Sequence, residues 1–137
     1  MWPACSRSAV TRSLPCSKKV KTLPDLSETV LPAQKGDIVE MDELWSFVRR
    51  KDQKRWIWLA LCRRTRQIIA FAIGDRSEAT CRILWSRLPK GYRAKRTYTD
   101  FWHAYEAVVP DWHHWPVGKD EGQTNHIERF NNTLRQR

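Results

Sequence analysis

By residue type and spacing, Asp42, Asp100 and Glu128 are the residues of this chain best suited to chemistry. Asp42 sits in an apolar stretch between Met41 and Leu44-Trp45. There an ionised carboxylate costs several kcal/mol unless it is paired or bound to a cation. Asp100 directly precedes Phe101-Trp102, and Glu128 lies near the start of a terminal amphipathic segment. The gaps of 58 and 28 residues leave room for complete structural elements between the three acids. Converging carboxylates repel one another and persist where divalent metal neutralises them, and hard oxygen ligands suit Mg²⁺ or Mn²⁺. Two such ions activate a water or hydroxyl and stabilise the leaving oxygen of a phosphodiester. Asp42, Asp100 and Glu128 are thus candidate ligands for two Mg²⁺ or Mn²⁺ ions. Taken singly, each has an ordinary alternative: a strand-edge Asp, a turn Asp and a surface Glu.

The terminal segment adds two groups. Glu128 and Arg135 are seven residues apart, which returns a helix to within ~20° of the same azimuth, and Asn132 lies one turn from Glu128 on that side. An acid, an amide and a guanidinium on one face suit a site that holds metal and phosphate; a solvated charged face is the alternative for the helix alone. Thr124 or Asn125 can cap this helix, and Ile127, Phe130 and Leu134 give it a buried face. With so few apolar contacts, the helix is expected to fray near Arg135.

The elements that must position these groups follow from periodicity. Residues 37–48, 55–62 and 67–73 read as strands joined by short polar turns, hence an antiparallel meander. Ser77 or Asp75 can cap a helix carrying Ala79, Ile83, Leu84 and Leu88, which Pro89 and Gly91 stop. A strand at 97–101, a short helix at 102–109, a strand at 112–117 and the last helix complete the order βββαβαβα. The expected fold is α/β, a mixed sheet flanked by helices. Three acids on separated elements converge only if the first and fourth strands are neighbours, as in a ribonuclease H-like arrangement. Alternation turns Glu43 away from Asp42's face, which leaves it outside the metal site.

Composition narrows the partners. Eight tryptophans and 41% hydrophobic residues exclude disorder, and no run approaches the ~20 apolar residues of a membrane span. No apolar leader core is visible, so the expected location is cytoplasmic. Lys and Arg exceed Asp and Glu by 25 to 15, a net +10 that favours a polyanion such as nucleic acid. Arg49, Arg50, Lys51 and Lys54 crowd one turn, Arg63, Arg64 and Arg66 the next, and Arg93, Lys95 and Arg96 the loop before Asp100; Lys119 precedes the terminal helix. Such loops can grip backbone phosphates without reading sequence, although each is equally a solvated turn. The cysteines form no C-x-x-C pair, and Cys62 and Cys81 read as small core residues. Residues 1–35, with four prolines and Lys18-Lys19-Val20-Lys21, read as a basic linker or the remnant of an upstream module, ahead of a domain over 36–137.

Met41-Asp42-Glu43-x-Trp45, Tyr98-Thr99-Asp100-x-Trp102 and His126-Ile127-Glu128-Arg129-x-Asn131-x-x-Leu134-Arg135 together resemble the insertion sequence 1 family of bacterial transposases. The resemblance covers about Gly36 to Arg137. It implies a DDE transposase on a ribonuclease H-like fold, with Asp42, Asp100 and Glu128 as the acidic triad and Arg135 as the basic residue that follows it. The implied partner is double-stranded DNA, both element ends and target, with a homo-oligomer or an upstream DNA-binding transposase subunit. By the same comparison the chain looks like a catalytic half that is short at its C-terminus. The alternatives are a non-catalytic fragment that binds DNA or a transposase, and a ribonuclease H-like nuclease.

Overall fold

The computed structural model describes residues 24–47 and 49–136. The Lys18–Lys21 cluster, Cys5, Cys16 and most of the expected linker lie outside the described residues, as do Val48 and Arg137. The elements are α1 (Leu26–Thr29), β1 (Ile38–Phe47), β2 (Lys54–Cys62), β3 (Ile68–Gly74), α2 (Glu78–Arg87), α3 (Lys90–Arg93), β4 (Arg96–Thr99), α4 (His103–Val108), β5 (His114–Pro116) and α5 (Asn125–Arg135). A 3₁₀ turn, Lys119–Glu121, precedes α5.

The five strands form one mixed sheet in the order β3-β2-β1-β4-β5. The polar turns at 49–53 and 63–67 fold β1, β2 and β3 into an antiparallel meander, with Asp42 opposite Leu59 and Ala60 opposite Ala70. The helical crossover then returns β4 parallel to β1 (Glu40 opposite Tyr98), and β5 runs parallel to β4. β4 ends at Thr99 while β1 continues to Phe47, so a crevice opens beside β1 beyond Tyr98. In parallel sheets such a place, outside the carboxyl ends of the strands, is where ligands bind.

The sheet is covered on both faces. One carries the main core, in which Val39, Met41, Trp58, Ala60 and Ala72 meet Cys81, Leu84 and Leu88 of the α2 segment and Ala104 and Tyr105 of α4. On the other, Leu44, Leu59 and Leu61 pack on Ile127 of α5. Ser77 caps α2 as its sequence suggests, accepting from the Thr80 N–H. Burial pushes the Cys81 thiol up to about 12, so this cysteine is an inert core residue. Trp58 is fully buried, stacks edge-on against Tyr105 with centroids 5.4 Å apart, and donates its indole N–H to the Asp75 carbonyl at 2.8 Å. Trp58→Ala should therefore cost about 3–5 kcal/mol. The check is a urea midpoint shifted downward with an unchanged slope.

Four features differ from the sequence expectation. Residues 24–34, expected to lie outside the domain, include α1, and Val30 and Ala33 pack against the main core while Tyr92 donates its hydroxyl to the Leu31 carbonyl. The loop expected before β4 contains α3. Leu134, assigned to the buried face of α5, is 38% exposed in the last turn of that helix, where it lines a groove with Leu44 and Phe47. Thr124 occupies the N-cap of α5 but gives no capping bond; its hydroxyl donates to Glu128 instead.

Candidate active site

Asp42 and Asp100 meet in the crevice beside β1. One carboxylate oxygen from each of Asp42, Glu43 and Asp100 lies within 4.8 Å of the others. β1 supplies Asp42 from its middle, and Asp100 is the first residue after β4, its Oδ1 accepting from the Trp102 N–H at 3.0 Å. This turn ends the strand and starts α4. Alternation does send Glu43 to the other face, yet its carboxylate still joins the cluster, since beyond Tyr98 no strand separates the two faces. The expectation that Glu43 stands apart from the acids is therefore incorrect as to position. Its oxygens are nevertheless engaged: Oε1 accepts from Arg76 Nε at 3.0 Å and Nη2 at 2.8 Å, and Oε2 from the Tyr105 hydroxyl at 2.6 Å. Burial and the Glu43 charge hold the Tyr105 phenol protonated. Arg76 is itself sandwiched, with its guanidinium 4.8 Å from the Trp56 ring centroid and 4.1 Å from that of Trp102.

Burial, then the charge of Glu43, and less strongly that of Asp100, push Asp42 up to about 7, while the Asn131 amide works in the opposite direction. Asn131 Nδ2 donates to Asp42 Oδ2 at 2.6 Å, whereas Asn131 Oδ1 is buried with no partner, as is the Trp102 indole N–H two residues from Asp100. An all-oxygen cluster, a carboxyl short of positive charge and an orphaned amide oxygen beside it fit a hard divalent cation.

Glu128 is half-buried on α5 and accepts from the Thr124 hydroxyl at 2.6 Å; it is not a member of the 4.8 Å cluster. The helix reaches Asp42 through Asn131, one position before the expected Asn132, which is exposed. Arg135 is exposed and, with Leu134, lines a groove of about 610 Å³ against Leu44, Phe47 and Ile57.

The basic residues divide by position. Arg49, Arg50, Lys51 and Lys54 are exposed on the β1–β2 turn, which lies beyond the carboxyl end of β1 on the side of the acids. Arg50 pairs with Asp52 at 3.0 Å, and Lys54 lies 5.2 Å from the Trp45 centroid. Lys119 is exposed on the 3₁₀ turn after β5. Arg93 and Lys95 precede β4 and Arg96 begins it, so all three stand at the opposite end of the sheet. Arg93 Nε donates to the Leu88 carbonyl at 3.0 Å, satisfying the end of α2, and Arg96 stacks on Trp115 at 4.6 Å. Arg63 and Arg64 are engaged as well, by Glu40 at 2.7 Å and Asp37 at 2.6 Å.

Comparison with known proteins places the chain in a family. The family profile described as IS1 transposase matches residues 37–137, a span that takes in all five strands of the sheet and α5. The chain belongs to the IS1 transposase family. It is 38% identical over 100 residues to the insertion element iso-IS1n protein InsB of Shigella dysenteriae, covering 73% of each chain. It is 36% identical over 97 residues to the insertion element IS1 protein InsB of Shigella flexneri, covering 71% of each. Against the insertion element IS1 9 protein InsB of Escherichia coli K12 the identity is 30% over 135 residues, 98% of this chain and 74% of that one. No solved structure matches. Membership gives this IS1-family chain a transposition-related function and implies DNA and a divalent metal. No helix among the described residues is long and apolar enough to cross a membrane.

Proposed function

We propose that this chain is the catalytic part of a DDE transposase, acting in the cytoplasm on double-stranded DNA at element ends and target. The observation that carries the reading is the meeting of Asp42 and Asp100 in the crevice beside β1. The strand order β3-β2-β1-β4-β5, with three antiparallel strands followed by two parallel ones, supports a ribonuclease H-like fold for the domain over 36–137. Asp42 and Asp100 would hold divalent metal, Mg²⁺ or Mn²⁺ and two ions in the full site, with Glu128 joining from α5. When bound, such ions supply the Lewis acidity that activates a water or a 3′-hydroxyl and stabilises the leaving oxygen.

The chain's own residues divide the remaining work. Asn131 fixes the direction of the Asp42 carboxylate through its 2.6 Å bond. Arg76 pairs with Glu43 and the Tyr105 hydroxyl donates to it, which holds Glu43 in place and leaves Asp42 and Asp100 to face the crevice. Arg135 and Asn132, on the exposed side of α5, are suited to phosphate, as are Arg49, Arg50, Lys51, Lys54 and Lys119 around the acid end of the sheet. Lys95, Arg96 and above all Arg93 are less available there. A second copy of the chain or a separate DNA-binding subunit would supply recognition of the element ends.

The test is Mn²⁺-dependent nicking of supercoiled plasmid by the purified chain, which this reading requires and a binding fragment would lack. DNA affinity should also fall steeply between low and physiological salt, because binding to phosphates releases counterions. Charge removal at Arg49, Arg50 and Lys51 should flatten that dependence, by about one unit of logarithmic slope for each phosphate no longer neutralised. Equal slopes in wild type and variant, followed by fluorescence anisotropy, would remove this turn from the interface.

A further inference from the structure

Glu40 lies two residues before Asp42 on the same face of β1, with none of its side chain exposed. Four donors converge on it. Arg63 Nε and His126 Nδ1 each donate to Oε1 at 2.7 Å, and the backbone N–H groups of His126 and Ile127 donate to Oε2 at 3.1 and 3.0 Å. Arg63 continues to Gln123, donating to its side-chain oxygen at 3.2 Å and its carbonyl at 2.5 Å. The first N–H groups of a helix lack partners within it and carry partial positive charge. Thr124 does not cap them, so a carboxylate from another element does.

The spacing gives this contact a further consequence. Glu40 to Asp42 spans about 7 Å of strand. Ile127 to Asn131 spans about 6 Å of helix. The two elements are thus held at two matched points, Glu40 to the first turn of α5 and Asp42 to Asn131, with Glu128 carried between them. A slip of one residue at the first point would turn Glu128 by about 100°.

We propose that Glu40, with Arg63 and His126, is a positioning residue that fixes the rotation and height of α5 against β1. It thereby sets where Glu128 stands relative to Asp42 and Asp100. The inference rests on the metal-site reading above. Glu40 itself holds no metal in this scheme, because its oxygens are filled by the four donors.

Two readouts separate positioning from general support of the fold: Mn²⁺ affinity, from the free-ion electron paramagnetic resonance signal, and amide exchange in metal-free protein. Glu40→Gln should lower Mn²⁺ affinity by about tenfold to a hundredfold, as outer-shell changes at metal sites do. It should also speed exchange in α5 while leaving β2 and β3 protected. His126→Ala removes one bond of four and should weaken Mn²⁺ about fivefold, the equivalent of one ordinary hydrogen bond. His126→Asn, which restores a donor near Nδ1, should recover most of that affinity. Should Glu40→Gln fail to fold, the His126 pair decides. Wild-type Mn²⁺ affinity in folded Glu40→Gln, or equal affinities in the two His126 variants, would overturn the proposal. Wild-type protein that binds no Mn²⁺ would instead refute the metal-site reading, before any variant is compared.

Discussion

Asp100→Asn should lose divalent-dependent plasmid nicking by roughly a thousandfold or more, about 4 kcal/mol of transition-state stabilisation, while its thermal unfolding stays close to wild type. Asp100 is half-buried at the end of β4, and its Oδ1 accepts one backbone N–H, a bond that the amide oxygen of the replacement preserves. The fold therefore has little to lose, whereas a neutral amide cannot balance a divalent charge. Asp42→Asn should behave alike in activity. Glu128→Gln tests the third acid separately, since Glu128 stands outside the close cluster. Retained nicking in Glu128→Gln with loss in both Asp variants would make the site a two-carboxylate one.

Metal-free protein should lose stability as pH rises from about 4 to about 7, and Asp42→Asn should abolish that loss. Burial and the Glu43 charge push Asp42 up to about 7, against about 3.9 for an unfolded Asp. Across this window the folded state keeps a proton that the unfolded chain has released, so stability falls with rising pH. The gap of about three pH units sets an upper value of about 4 kcal/mol above pH 7. Melting in EDTA at mildly acidic, neutral and mildly alkaline pH measures it. The difference between wild type and variant isolates this carboxyl, because all other titrating groups are common to both. Adding Mn²⁺ at mildly alkaline pH should stabilise the wild type far more than the variant. Parallel pH profiles for the two proteins would show that Asp42 titrates normally.

The sheet was legible because its signals are local. Apolar runs at 38–47, 54–62 and 68–74 alternate with polar turns, and Pro89 ends the α2 segment, so the strand and helix order follows from short-range patterns. Asp42 was legible for a different reason: an acid inside an apolar strand demands a partner. The same argument applies to Glu40, two residues earlier on the same face, and it would have pointed to the Arg63 and His126 contacts. Azimuth alone selects Asn132 as Glu128's neighbour, but the face of α5 turned to β1 runs through Ile127 and Asn131, four residues apart. The direction in which a helix lies on its sheet is a tertiary fact that a helical wheel does not contain. Arg93 has a structural role that its sequence context hides. A basic loop suggests DNA, while the need of α2's last carbonyls for a donor appears only when the helix end is seen.

The most direct test is a crystal structure of the chain grown with Mn²⁺, with the ion located by its anomalous signal. The proposed function predicts a peak in the crevice beside β1, coordinated by carboxylate oxygens of Asp42 and Asp100, with Glu128 approaching from α5. A chain that nicks DNA in Mn²⁺ yet holds no ion at Asp42 and Asp100 would contradict it.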